Sequence, residues 1–172
     1  EKRRTIIPNI YAIGDITGEP MLAHKATHEG KVAAENISGL NSIFNPLVIP
    51  SVIYTNPEIA WAGYTEEELK SKKTKYNKAI FPWSASGRAM TTGNTTGKTK
   101  ILTSEDNSKI LGIGITGSNA GELIGEAMLA IEMGANIEDI SLTIHAHPTL
   151  SETIANASEM LTKTITDLYI KN

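Results

Sequence analysis

The chain of 172 residues, with 40% hydrophobic and 20% charged residues, has the length and composition of a globular protein that can bury a core, which excludes disordered and fibrous classes. A net charge of −3 without a basic stripe argues against nucleic acid as a partner, and the lack of cysteine excludes a disulfide, a thiolate zinc site or a Cys nucleophile within these residues. The apolar runs are too short to span a membrane, so we expect a soluble protein of the cell interior.

The first 39 residues predict a strand, a turn and a helix. Ile10–Gly14 is a short apolar run that is typical of a buried strand ending in a turn. From Pro20 to about Ser38, apolar residues recur at helical spacing. Turn-forming residues follow, and they predict a domain boundary near residues 40–50. We therefore divide the chain into residues 1–45 and residues 46–172.

The second part of the chain predicts an antiparallel sheet with helices. Strand composition occurs at residues 52–55, 59–62, 76–83, 98–103 and 110–116. Helices are expected at 65–73, where Thr65 and Glu68 form a capping box, at 119–133 with Asn119 as the cap, at 138–143, and from Thr149 towards Lys163. Because strands and helices follow one another in this segregated order, the predicted fold class is α+β, built on an antiparallel sheet.

The densest group of reactive side chains runs from His145 to Glu152. Two histidines two residues apart on an extended segment point the same way, and Pro148 restricts the backbone at His147. Glu152 has two interpretations: it closes a capping box on the Thr149 amide, or it accepts a hydrogen bond from a histidine and so orients the ring for acid-base work. The pattern alone does not choose between them. Zinc is disfavoured, because no H-x₃₋₅-H or Cys pair is present.

A second candidate site joins Asp15 to the tetrapeptide Met21, Leu22, Ala23 and His24. A carboxylate at the end of a strand can bind a polyol, and the amides at the start of the following helix can donate to an electron-rich ligand group. Asp15 is equally suited to a turn or to a helix N-cap.

Several segments, in order, resemble the flavin disulfide reductases, and specifically the dihydrolipoamide dehydrogenases. They are Pro8–Asp15, Met21–His24, Pro50–Gly63, Ser86–Met90, Gly117–Glu122 and His145–Glu152. The resemblance covers essentially the whole chain. It implies a strand-turn-helix remnant of the FAD-binding region followed by the family's dimerisation domain, with cis peptides at Asn56-Pro57 and His147-Pro148. His28 stands where the family commonly has an acidic residue, and we interpret it as a surface histidine.

The resemblance also implies roles for the candidate residues and for their ligands. Asp15 would contact the ribityl chain of FAD, and Met21 to His24 would face the N1 and O2 edge of the flavin ring. His147 would take a proton from a dihydrolipoyl dithiol, and electrons would pass through FAD to NAD⁺. Glu152 would orient His147, and His145 would play a lesser part in the same pocket. The implied partners are a second copy in a homodimer and the lipoyl-bearing acyltransferase of a 2-oxoacid dehydrogenase complex, in the cytoplasm or the mitochondrial matrix.

These residues contain neither a complete G-x-G-x-x-G motif nor a Cys pair, and the sequence begins at Glu1 without Met. We therefore expect a fragment of a longer enzyme, inactive by itself. Two other interpretations stay open. One is a non-enzymatic, stand-alone dimerisation module, and the other is a fragment of a glutathione-reductase-like enzyme, a group that usually lacks a counterpart of His145.

Overall fold

The computed structural model describes residues 1–169, which divide into two compact units. The first is Glu1–Ile49, and the second begins at Pro50. Within the described residues, no helix is both long and apolar enough to cross a bilayer.

The first unit consists of loops, a 3₁₀ turn at Gly14–Thr17 and helix α1, Ala23–Ile37. The helix was predicted from Pro20 and begins slightly later. The predicted strand at Ile10–Gly14 is wrong, because only a single antiparallel bridge, between Arg4 and Tyr11, forms there. A strand needs a neighbour to bond its backbone, and within this unit the segment meets only the short loop that precedes it.

The second unit is a five-stranded antiparallel sheet with helices. Its strands are β1 (Ser51–Ile53), β2 (Glu58–Gly63), β3 (Asn77–Pro82), β4 (Lys98–Thr103) and β5 (Ile110–Gly117), in the spatial order β1-β2-β5-β4-β3. Its helices are α2 (Glu66–Ser71), α3 (Gly87–Thr91), α4 (Ala120–Glu132), α5 (Ile137–Ser141) and α6 (Glu152–Thr162), with a 3₁₀ turn at Trp83–Ala85. The predicted α+β class and antiparallel sheet are confirmed, whereas α3 and the 3₁₀ turn were not predicted.

One face of the sheet carries the core. Buried side chains pair across neighbouring strands on this face, with Ala60 opposite Ile115, and Ala79 opposite Ile101. Helix α4 packs on β1, β2 and β5, while α6 packs on β3 and β4 and also contacts α5. Buried and more exposed residues alternate along β2 and β3, as the period of two in a strand requires. Both strands were predicted from their composition.

Helix starts in this unit follow the prediction in part. The capping box of α2 at Thr65 and Glu68 is confirmed. Asn119 precedes α4, but its backbone is left-handed (φ 62°) and its side chain makes no cap bond. Instead, Glu58 Oε2 accepts a hydrogen bond of 2.9 Å from the Gly121 N–H. Helix α6 begins at Glu152, three residues after its predicted start.

Candidate functional site

The segment between α5 and α6 brings His147 and Glu152 together. Glu152 is the first residue of α6, and its Oε1 lies 2.8 Å from His147 Nδ1. Its Oε2 accepts a 2.6 Å hydrogen bond from the Thr149 N–H. The histidine pairing that the pattern left open is therefore present at one carboxylate oxygen, and a bond from the Thr149 amide at the other. A capping box does not form, because the N-cap of α6 is Ser151, which makes no side-chain cap bond. The peptides His147-Pro148 and Asn56-Pro57 are cis, as expected.

This pairing determines what His147 can do chemically. A carboxylate oxygen only accepts hydrogen bonds, so the neutral ring carries its proton on Nδ1 and keeps a lone pair on Nε2. The His147 side chain is 74% exposed, and within residues 1–169 Nε2 has no hydrogen-bond partner. Gly87 lies beside the ring, since a Cβ built there would be 3.5 Å from His147 Cε1. The arrangement can accept a proton at Nε2 from an outside group, and Glu152 then stabilises the imidazolium.

His145 has a different environment from His147. Its side chain is only 8% exposed, and its Nε2 lies 2.6 Å from Glu126 Oε1 on α4. Its Nδ1 lies 2.8 Å from the Thr143 carbonyl oxygen. Burial acts to lower the pKa of His145, but the hydrogen bonds to Glu126 and Thr143 outweigh it, and the pKa is raised. The two histidines thus bind separate carboxylates. In the part of the chain that the structure describes, no three His, Asp or Glu side chains are placed to hold a metal ion.

Asp15 and the tetrapeptide Met21 to His24 flank the start of α1. Asp15 lies in the 3₁₀ turn with its side chain exposed, and Leu22 occupies the N-cap of α1. Leu22 provides no side-chain cap and the first turn has no acidic residue, so the amides there are suited to an electron-rich ligand. These residues fit the FAD edge that the resemblance assigns to them. His28 is exposed on the same helix, as expected of a surface histidine.

A buried carboxylate holds this turn against α1. Glu29 is 0% exposed, and its Oε2 accepts a 2.6 Å hydrogen bond from the Gly14 N–H. Its Oε1 accepts from Arg3 Nη1 at 3.0 Å and lies 3.5 Å from Lys25 Nζ. Burial acts to raise the pKa of Glu29, but the bonds from Gly14 and Thr17 and the nearby cations outweigh it, and the pKa is lowered.

Neither Glu29 nor Glu126 was identified from the sequence. The i, i+4 spacing of Lys25 and Glu29 on a predicted helix was an available signal for the first. No local pattern marks Glu126, because its partner His145 is 19 residues away.

Comparison with known proteins identifies the second unit. The profile of the pyridine nucleotide-disulphide oxidoreductase dimerisation domain matches residues 49–158. The chain is 59% identical over 165 residues to a dihydrolipoyl dehydrogenase of Buchnera aphidicola, and 55% identical over 168 residues to one of Haemophilus influenzae. These alignments cover 96% and 98% of this chain but 35% of each relative, so the chain spans about a third of the length of the curated relatives it matches.

Solved structures agree with this result. LpdA from Mycobacterium tuberculosis is 26% identical with a TM-score of 0.84, and the match covers 92% of this chain and 35% of that one. The flavoprotein disulfide reductase RclA from Escherichia coli is 20% identical with a TM-score of 0.85 over 93% of this chain and 37% of its own, which shows a shared fold. The resemblance to the dihydrolipoamide dehydrogenases is confirmed by these relatives, and the chain belongs to the pyridine nucleotide-disulphide oxidoreductases, whose dimerisation domain it carries.

Proposed function

We propose that this chain is part of a dihydrolipoyl dehydrogenase and supplies the acid-base pair that takes the thiol proton during the oxidation of dihydrolipoamide. The observation that carries the proposal is the 2.8 Å contact between Glu152 Oε1 and His147 Nδ1, which leaves an exposed lone pair on Nε2. The relatives at 59% and 55% identity, both described as dihydrolipoyl dehydrogenases, support the choice of substrate.

The chemistry of His147 follows from the geometry. A thiol has an ordinary pKa of about 8.5, so a dithiol is mostly protonated at neutral pH and attacks a disulfide slowly. His147 Nε2 accepts the thiol proton, and the resulting thiolate is the nucleophile. The new positive charge on the ring is stabilised by Glu152, whose other oxygen is fixed by the Thr149 amide. The exposed ring then releases its proton to solvent, after which Nε2 can accept the proton of the second thiol.

FAD, when bound, supplies the electron relay between the disulfide and NAD⁺. Asp15 would bind the ribityl hydroxyl groups, and the amides at Met21 to His24 would donate to the N1 and O2 edge of the flavin. The exposed carboxylate of Asp15 and the uncapped start of α1 support this assignment. Residues 1–45 would then be the remnant of the FAD-binding region, and residues 46–172 the dimerisation domain.

We further propose that the chain acts as a homodimer, with His147 serving the disulfide of the opposite subunit. The match to a dimerisation domain supports this, as do Leu129 and Met133 at the end of α4, which are 64% and 75% exposed. The lipoyl-bearing acyltransferase of a 2-oxoacid dehydrogenase complex would present the substrate. Bacterial relatives favour the cytoplasm, and a mitochondrial relative in Dictyostelium discoideum, 49% identical, makes the matrix the alternative.

The test uses the complete polypeptide that carries this sequence. His147→Gln should lower kcat for dihydrolipoamide oxidation by about 10²- to 10⁴-fold, the usual contribution of a general base. NADH-driven reduction of an artificial dye should keep its rate, because that reaction removes no proton from a dithiol. His28→Gln, which changes an exposed histidine, is the matched control. Unchanged dithiol oxidation in His147→Gln would refute the proposal.

The 172-residue chain alone should be inactive, because it contains no Cys pair and no complete dinucleotide-binding motif. A purified chain with a bound yellow flavin and NAD⁺-linked dihydrolipoamide oxidation would contradict this expectation.

A further inference from the structure

The pair of His145 and Glu126 is not used by the chemistry described above. A neutral imidazole has one N–H, which can satisfy only one acceptor. The ring of His145 faces two acceptors, the Thr143 carbonyl oxygen at 2.8 Å from Nδ1 and Glu126 Oε1 at 2.6 Å from Nε2. Only the doubly protonated ring satisfies both. The raised pKa of His145 agrees with this state, in which the ring is positively charged and has no lone pair with which to act as a base.

The charges around His145 agree with this state. Glu126 faces it from α4, and Glu152 and Glu159 act on it from α6. The interactions with Glu126 and Glu152 both raise the pKa of His145. His145 thus lies near acidic side chains of α4 and α6, and its hydrogen bond is to Glu126 of α4.

His147 lies two residues after His145, so the contact of His145 affects where the His147 ring is placed. Between α5 and α6 the neighbouring side chains make little contact with the core: Leu142 is 79% exposed and Ile144 is 97% exposed. The side chain of His145 is far less exposed, at 8%, and its hydrogen bond to Glu126 connects this segment to α4. At the C-terminal end of the segment, Glu152 of α6 contacts His147 Nδ1 and accepts a hydrogen bond from the Thr149 N–H. His147 lies between these two anchors.

We infer that His145 is a positioning residue, whose charged pair with Glu126 fixes the α5–α6 segment so that His147 Nε2 stays at the reacting position. The inference rests on the proposed function of His147. The two histidines then have different roles. His147 accepts the proton, and His145 holds in place the backbone segment that contains His147.

The test compares Glu126→Gln and His145→Gln in the complete flavoprotein, with Glu122→Gln, an exposed glutamate on the same helix, as the control. Misplacing a catalytic group by about 1 Å costs up to about 100-fold in rate, so each variant should lower kcat for dihydrolipoamide oxidation by about 10- to 100-fold. The KM for dihydrolipoamide and NADH-driven dye reduction should stay near their original values. The double variant should be no slower than the worse single one, because both changes break the same contact.

A measurement independent of turnover tests the charge itself. The ¹⁵N NMR shifts of His145 at pH 7 should show protons on both ring nitrogens, and in Glu126→Gln one nitrogen should lose its proton. A neutral His145 ring at pH 7 in the unsubstituted protein would overturn the inference.

The outcomes also separate this inference from the proposed function. Full activity of His147→Gln would refute the proposed function. Slow dithiol oxidation in His147→Gln, together with full activity in both Glu126→Gln and His145→Gln, would refute only the positioning role. An equal loss of dye reduction and dithiol oxidation in the Glu126 and His145 variants would show a general structural role and would also overturn the inference.

Discussion

Replacing Glu29 by Gln tests how the turn that carries Asp15 is held. In the native chain Glu29 lies between Arg3 and Lys25, and its Oε2 accepts the Gly14 N–H. A glutamine can still accept one hydrogen bond, but it leaves two cations facing each other without an anion. Breaking a buried ion pair in this way costs about 3–5 kcal/mol, and partial exposure of Arg3, at 18%, favours the lower end of this range.

The assay is amide hydrogen exchange over residues 10–18. A local loss of about 3 kcal/mol corresponds to exchange of the Gly14 amide that is faster by on the order of 100-fold, at 1.4 kcal/mol for each factor of ten. Glu35→Gln, an exposed change on the same helix, should alter stability by less than about 0.5 kcal/mol. Unchanged Gly14 exchange in Glu29→Gln would refute the view that this carboxylate holds the turn. In the complete flavoprotein, the same variant should lose FAD more readily on dilution, because Asp15 follows Gly14 directly.

Two further predictions concern the second unit. Gly117→Ala would drive a methyl group into the ring of Trp83 and should lower the free energy of unfolding by at least about 1–3 kcal/mol, whereas Gly114→Ala enters open space and should be nearly neutral. Urea unfolding followed by Trp fluorescence compares them, and equal stability of the two variants would contradict the packing described. A hydrogen bond from Lys100 is the main reason that the pKa of Glu66 falls to about 2, against the opposing effect of burial. The stabilisation is present above the ordinary value of 4.5 and is lost as the pH falls towards 2, so the urea midpoint should drop over this range and should drop less in Glu66→Gln. An identical acid dependence in both proteins would show that Glu66 is not responsible.

Features formed by residues close together along the chain could be predicted from the sequence, whereas contacts between residues far apart along the chain could not. Strands β2 and β3 were predicted from their local composition, because aromatic and β-branched residues favour strands wherever the partner strand lies along the chain. His147 and Glu152 are five residues apart across a helix start, so their pairing was a local hypothesis. The partners of Arg3 and His145 are 26 and 19 residues away, and only the folded chain brings them together.

The failed strand at Ile10–Gly14 has a related cause. Its apolar composition predicted a buried strand, but only a single bridge, between Tyr11 and Arg4, forms. A strand, however, is defined by its neighbour, and composition carries no information about whether one is present.

The two hydrogen bonds of Glu152 allow one further prediction, which separates its role in proton transfer from its bond to the Thr149 amide. In Glu152→Gln, the single carbonyl oxygen can accept the Thr149 N–H, which leaves the amide NH₂ to face His147 Nδ1. An NH₂ group donates, so Nδ1 must accept, and the ring proton moves to Nε2, where it removes the lone pair that takes the thiol proton. The variant should therefore fold normally but oxidise dihydrolipoamide about 10²- to 10⁴-fold more slowly in the complete enzyme, which is the loss expected when a general base is held in the wrong tautomer. The ¹⁵N shifts of His147 report the tautomer directly. A variant that keeps the Nδ1–H tautomer and is nevertheless slow would show that the charge of Glu152, and not its control of the ring proton, supports the reaction.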